Sequence, residues 1–384
     1  LTFKINNKIL FYIIPFFLGL ITSFSLNPYN FIIINFITFP IFYIFFVNNL
    51  NKKKWLGFKI GWMFGFGYFI SNLYWITNAL TFDSQFKNLI PIALIVIPSY
   101  LALFYGLATL ICSLFNLKKN FASILIFATV FSLIEYLRGF IFGGFPWNLS
   151  AYSWTSYTNF LQIISVIGTY SFNLLSITFF LIPSILFFEY KYKLKLLSLI
   201  FFIFLITLNY FYGSKVINDY KKNTNVNIKS NIKILSPKIK IERFYQNEDP
   251  SEIISELIEL SNPNLEEETI FIFPEGTLTS INLNEIKIYK KMFKDNYSSK
   301  HKIILGINSI EKSKVFNSLV VLDNNLNILA KYNKNDLVPF GEFLPFENLL
   351  SKLGIKKITG GYQSFSADKT RKVLNINDLK FLPL

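Results

Sequence analysis

The stretch "KILFYIIPFFLGLITSFSLNPYNFIIINFITFPIFYIFFVNNLNKKK", Lys8 to Lys54, decides the class of this protein. It holds two apolar runs, near residues 8–26 and 30–48, parted by Asn27-Pro28 and closed by three lysines. Each run has about the 20 residues that a helix needs to cross a bilayer. The apolar core of a cleaved signal peptide is shorter, and here a second run follows the first at once. The sequence therefore opens as a multi-pass membrane protein.

Five further runs continue the pattern, near 56–78, 89–115, 121–140, 159–187 and 195–212, for an expected total of seven spans. Lysines mark alternate loops. Lys4 and Lys8 precede the first span, Lys52, Lys53 and Lys54 follow the second, Lys118 and Lys119 the fourth, and Lys191, Lys193 and Lys195 the sixth. The other loops hold little beyond Lys87 and Arg138. The positive-inside rule then predicts a cytoplasmic N-terminus. With an odd number of spans, everything after about residue 213 is expected on the opposite side, which in a bacterium is the periplasm. The expected domains are residues 1–213, helical and membrane-spanning, and 214–384, extracytoplasmic.

The composition agrees with this reading. Of 384 residues, 52% are apolar and 45 are Phe. The net charge of +15 sits largely in short loops, where topology accounts for it, so a nucleic-acid partner is not expected. One cysteine, Cys112, excludes an intrachain disulfide, and one histidine, His301, excludes a multi-histidine metal site. No metal or cofactor is expected.

From Lys215 onward the pattern changes. "NVNIKSNIKIL" alternates like a strand and "PSEIISELIELS" has helical spacing. "ETIFIFPE" predicts a short buried strand, "NEIKIYKKMFKDNY" a helix, "KIILGINSI" a strand, and "NSLVVLDNNLNILAKYN" a hairpin with an Asn-Asn turn. Alternating strands and helices predict an α/β domain with a layered sheet.

Several residues stand where chemistry is possible. Glu275 directly follows an apolar strand in "IFIFPEG", the end of a strand at which α/β folds place reactive groups. Partial burial there would raise its pKa and suit it to general-base work. The plain alternative is an exposed glutamate in a strand-ending turn. "KYNKNDLVPFGEFLPFE", Lys331 to Glu347, is too dense in Gly, Pro, Phe and charge for a mere connector. Its Lys334 is placed to meet a developing oxyanion, with Glu342 to orient it; the alternative is a solvated lysine. Asn317 and Ser318, read at a strand start in "VFNSLV", offer polar contacts or simple turn chemistry. Cys112 lies in the fourth span, in apolar surroundings that leave a thiol inert. Glu135 and Arg138, three apart in "SLIEYLRGF", form a structural pair or face a lipid headgroup. "GGFPWN" after them is an aromatic turn of the membrane interface.

Taken together, these motifs resemble the bacterial apolipoprotein N-acyltransferases, over nearly the whole chain. "GWMFGFGYFISNLYWI" is similar to the family's third span and "EYLRGFIFGGFPWN" to the end of its fifth. "FPEG" is similar to the strand end with the catalytic Glu, and "YNKNDLVPFGEFLPFE" to its most recognisable block. The resemblance implies a membrane domain followed by a nitrilase-like domain of layered α-β-β-α form. It implies Glu275 as base, Lys334 as oxyanion partner and Glu342 as support. It implies acyl transfer from a phospholipid, through a cysteine thioester, to the amine of an apolipoprotein's diacylglyceryl-cysteine. Bilayer, phospholipid and apolipoprotein are then the partners, and a monomer is expected. Phe273 stands where the family usually has Trp, Asp336 where it commonly has His, and Tyr245 is the aromatic nearest to a substrate-contacting Trp. The family's nucleophilic Cys follows a short apolar strand that "LKFLPL" resembles, so this sequence, which begins with Leu, is expected to be a fragment lacking it. A membrane-tethered nitrilase-type amidase and a non-catalytic transporter or scaffold are the alternatives.

Overall fold

A computed structural model describes residues 8–49, 54–81, 84–141, 144–222, 230–237, 249–339, 341–350, 352, 364–376 and 379–383. The chain divides into two compact units, Leu1–Asn225 and Val226–Leu384.

The first unit is helical. Its helices are α1 (Lys8–Thr22), α2 (Asn35–Asn49), α3 (Lys54–Leu73), α4 (Ile90–Leu114) and α5 (Phe121–Arg138), the single turns α6 (Thr158–Leu161) and α7 (Ile164–Ile167), then α8 (Thr169–Leu181) and α9 (Tyr192–Lys222). Among the described residues, five segments rather than seven are long and apolar enough to cross a membrane: Ile32–Asn49, Phe86–Leu114, Phe121–Arg138, Thr169–Phe187 and Tyr192–Lys222. The two other expected spans are also helices. α1 is short, at 15 residues. α3 has 20 residues, but glycine, Lys59, Ser71 and Asn72 dilute its apolarity.

Those glycines have a packing purpose. Gly57, Gly61 and Gly65 fall four apart on one face of α3 and lie against α4. A Cβ on Gly61 would stand 2.0 Å from the Thr109 hydroxyl oxygen and 2.4 Å from the Tyr105 carbonyl. Small residues spaced by four let two helix backbones meet where lipid supplies no hydrophobic drive. α9 runs to Lys222, ten residues past the expected span end at 212, because Gly213 is seated on the Asn159 backbone rather than breaking the helix.

Glu135 and Arg138 are both buried, at 0% and 1% exposure, so they form the internal pair and do not face headgroups. Their closest charged atoms are 3.8 Å apart. Glu135 accepts from the Tyr105 hydroxyl at 2.7 Å and from the Asn173 amide at 2.5 Å. Arg138 donates to the carbonyls of Phe145 at 2.7 Å and Trp147 at 2.8 Å, pinning the aromatic turn. Cys112 is wholly buried in this unit's core.

The second unit holds a six-stranded sheet of β1 (Asn231–Ile234), β2 (Thr269–Ile272), β3 (Leu278–Asn282), β4 (Lys302–Glu311), β5 (Lys314–Leu322) and β6 (Ile328–Asn333). The order is β1-β2-β4-β5-β6, with β3 also on β4. β1, β2, β3 and β4 pair in parallel, while β4, β5 and β6 pair antiparallel. After Thr269, β2 is apolar, with Ile270 and Phe271 buried on its two covered faces. Helices α10 (Pro250–Ser261) and α11 (Lys290–Asn296) pack on one face through Ile253, Ile254, Leu257 and Phe293. Asp249 caps α10 by accepting from the Ser251 amide at 2.9 Å.

On the other face Ile270, Ile304, Val321 and Tyr332 meet Leu374 and Ile376 of a two-stranded hairpin, β7 (Leu374–Ile376) with β8 (Leu379–Phe381). Among the described residues that hairpin is all that covers this face, so the described layers are helices, sheet and hairpin rather than the expected α-β-β-α. "LKF" is β8, paired with β7.

Candidate active site

The candidate site lies at one end of this sheet and is built by four neighbouring segments. β2 runs out into Phe273, Pro274 and Glu275, and the Thr277 hydroxyl donates back to the Pro274 carbonyl. β4 passes beneath at Gly306, where a Cβ would stand 2.9 Å from the Glu275 Cα, so only glycine lets the two strands approach this closely. β5 supplies Asn317, which is in mid-strand because β5 already begins at Lys314. β6 ends at Asn333, and the next residue, Lys334, donates its backbone N–H to the Asn317 carbonyl at 2.9 Å.

The loop after Lys334 returns to the site through Glu342. Its backbone N–H donates to the Val338 carbonyl, and its Oε2 accepts from the Val338 N–H, each at 2.8 Å. Glu342 is thus tied to Val338 by main chain and side chain together. Its other oxygen, Oε1, accepts from Lys334 Nζ at 3.0 Å and from Asn317 Nδ2 at 2.8 Å. Glu275 Oε1 accepts from the same two groups, Lys334 Nζ at 3.4 Å and Asn317 Nδ2 at 2.5 Å. One ammonium and one amide therefore bridge two carboxylates.

Exposure separates the two acids. The Glu342 side chain is 14% exposed and the Glu275 side chain 64%. The partial burial expected for Glu275 is absent because its carboxylate stands proud of the strand end, held from one side only. Burial works to lower the pKa of Lys334, but the Glu275 and Glu342 carboxylates outweigh it and hold the ammonium above the ordinary lysine value.

A cleft of about 160 Å³ opens beside these groups. Glu275, Asn317 and Lys334 give it charge and polarity, Phe273, Leu319 and Tyr332 give it an apolar wall, and Gly306 and Ser318 complete it. The Ser318 hydroxyl meets Ser309 at 2.7 Å and donates to Asn333 Oδ1 at 2.7 Å, a buried chain that fixes β5 between β4 and β6. Asp336 pairs with Arg371 at the surface. Tyr245 lies outside the described residues. Cys112, in the core of the helical unit, is not one of the groups gathered here.

The relatives of this chain share one name. A family profile, apolipoprotein N-acyltransferase N-terminal domain, matches residues 18–182. The apolipoprotein N-acyltransferase of Brucella melitensis is 29% identical over 389 residues, covering 96% of this chain and 72% of its own length. That of Allorhizobium ampelinum is 30% identical over 343 residues, covering 85% and 63%. That of Rhodopseudomonas palustris is 28% identical over 401 residues, covering 97% and 72%. The chain is similar to the apolipoprotein N-acyltransferases over nearly its whole length. The profile lies within the helical unit, while the alignment to the Brucella relative runs through both units. With five helices long and apolar enough to cross a membrane among the described residues, and with such relatives, this chain is a bacterial membrane protein.

Sequence reasoning passed over three residues of the cleft, Gly306, Leu319 and Tyr332. Tyr332 was readable by strand period, since it sits two before Lys334 on β6 and so shares its face. Gly306 carries no signal of its own in "ILGIN"; its need appears only once β2 and β4 are side by side.

Proposed function

We propose that this protein transfers a fatty acyl group from a phospholipid to the N-terminal amine of a diacylglyceryl-cysteine apolipoprotein, through a thioester. The observation that carries the reading is Lys334 Nζ held 3.4 Å from Glu275 and 3.0 Å from Glu342 in an open cleft, in a chain related throughout to apolipoprotein N-acyltransferases.

The chemistry follows from the groups. A thiol at its free pKa is mostly protonated, and Glu275, the exposed carboxylate, accepts its proton. The thiolate sulfur adds to the ester carbonyl carbon and the carbonyl electrons move to oxygen. Lys334 stabilises that oxyanion. Collapse re-forms the carbonyl and expels the lysophospholipid alkoxide, which takes the proton from Glu275. The acceptor amine then adds to the thioester carbonyl, the carbon–sulfur bond breaks, and the amine's surplus proton returns to the thiolate by way of Glu275. Glu342 and Asn317 orient Lys334 and Glu275. Cys112 is kept from the role of this thiol by its burial among apolar helices. The nitrilase-like character of the second unit and its place outside the cytoplasm belong to the same proposal; the lysine-marked loops support the placement.

The test uses membranes carrying the full-length gene product and phospholipid labelled in its acyl chain. Label is expected on protein in a form that hydroxylamine releases, and then on an acceptor lipopeptide. Glu275→Gln is expected to lower acylation of the thiol by at least about a hundredfold, and Lys334→Met to slow both half-reactions. Wild-type rates in both variants would refute the reading.

A further inference from the structure

The donors around the cleft can be counted. Lys334 has three N–H bonds, and two point to Glu275 and Glu342. Both N–H bonds of the Asn317 amide are taken by the same two carboxylates. The Ser318 hydroxyl is spent on Asn333. Among the described side chains, an oxyanion at this site is therefore met by one N–H of Lys334, while its oxygen accepts two or three hydrogen bonds.

One side-chain donor on the cleft wall is left over. Tyr332 lines the cleft and is only 5% exposed, yet its hydroxyl has no hydrogen-bond partner among the described residues. The other buried tyrosine among this unit's described residues, Tyr297, is treated differently, its hydroxyl being shared with Ser261 at 2.7 Å. The hydroxyl is not among the enclosed polar atoms that lack a partner, so it is open to a group that enters the cleft. Its position is set by the sheet. Tyr332 stands opposite Leu319 in register, and Lys334, two residues on, is tied to Asn317. Period-two alternation sends both side chains to the same face.

We infer that Tyr332 is a second catalytic donor, giving its hydroxyl, beside the third N–H of Lys334, to the acyl carbonyl oxygen as it becomes an oxyanion. This rests on the acyl-transfer reading and deepens it. The donor acts in both half-reactions, since each passes through a tetrahedral centre on the same carbon. A phenol suits the task because it gives one directional hydrogen bond without adding charge, while its ring lies with Phe273 and Leu319 on the apolar wall of the cleft.

The experiment is Tyr332→Phe in the full-length protein, with Glu275→Gln and Lys334→Met run in parallel. Single-turnover acylation from labelled phospholipid and transfer to a lipopeptide amine are both timed. Phenylalanine keeps the ring, so the melting temperature in detergent is expected to hold. Both rates are expected to fall by roughly tenfold to a hundredfold, with the apparent KM for phospholipid little changed. A raised KM with unaltered rates, or a fall in rate that tracks a lowered melting temperature, would overturn the assignment of a catalytic donor. Wild-type rates for Tyr332→Phe with Glu275→Gln and Lys334→Met inactive would also overturn it and leave acyl transfer standing. Activity in all three variants would remove both.

Discussion

Lys334 is the residue on which the site turns, because two carboxylates share its ammonium. Its pKa is raised from 10.5, so pairing stabilises the folded state below that value and the benefit is lost only as pH climbs through the higher folded value. The ammonium form that the proposed mechanism calls for is therefore the one present at neutral pH. Glu342→Gln removes one of the two charges that raise it. The alkaline limb of the acylation rate should then move to lower pH, with a rate loss of about tenfold at neutral pH as Lys334 loses its anchor. An alkaline limb that stays put or moves upward would mean that Glu342 does not tune this lysine. At this scale the sequence was informative about which residues meet and less so about how. "FPEG" and "PFGE" point to Glu275, Lys334 and Glu342, and all three are together with Asn317. The exposure of Glu275 was not legible, because it depends on what stands above a strand end.

Among the elements, α3 is the one whose sequence and packing are most tightly linked. Its glycines lower its apolarity but let α4 approach to backbone contact. Gly61→Ala places a methyl 2.0 Å from the Thr109 hydroxyl oxygen and is expected to cost about 1–3 kcal/mol. Thermal unfolding in detergent measures this, and an unchanged midpoint would mean that α3 and α4 separate freely. Long apolar runs made most helices readable, and period-two alternation most strands. The misses have physical reasons. β3 (Leu278–Asn282) went unread because "LTSIN" is short, half polar and follows the Glu275 turn directly. The β4–β5 hairpin turns on Lys312 and Ser313, both at positive φ, without the Asn-Gly or Asp-Gly that normally announces such a turn. "NEIKIYKKMFKDNY" begins as a 3-10 turn, Ile286–Tyr289, before α11 takes over.

For the whole molecule, lysine placement predicts that residues after about 213 lie outside the cytoplasm. Protease added to spheroplasts should cut between Lys215 and Lys240 and spare the loop at Lys52–Lys54. Cleavage of the loop with protection of the later region would reverse the topology. The helical unit also has a history imposed by its buried pair. Glu135 takes one hydrogen bond from Tyr105, made before it, and one from Asn173, made after it. Arg138 likewise relies on carbonyls at Phe145 and Trp147. A chain still on the ribosome therefore carries two ionisable side chains at the end of its fifth helix before their last partners exist. The hydrogen bonds of this buried pair are complete only once residue 173 has been synthesised, so the end of the fifth helix depends on the eighth.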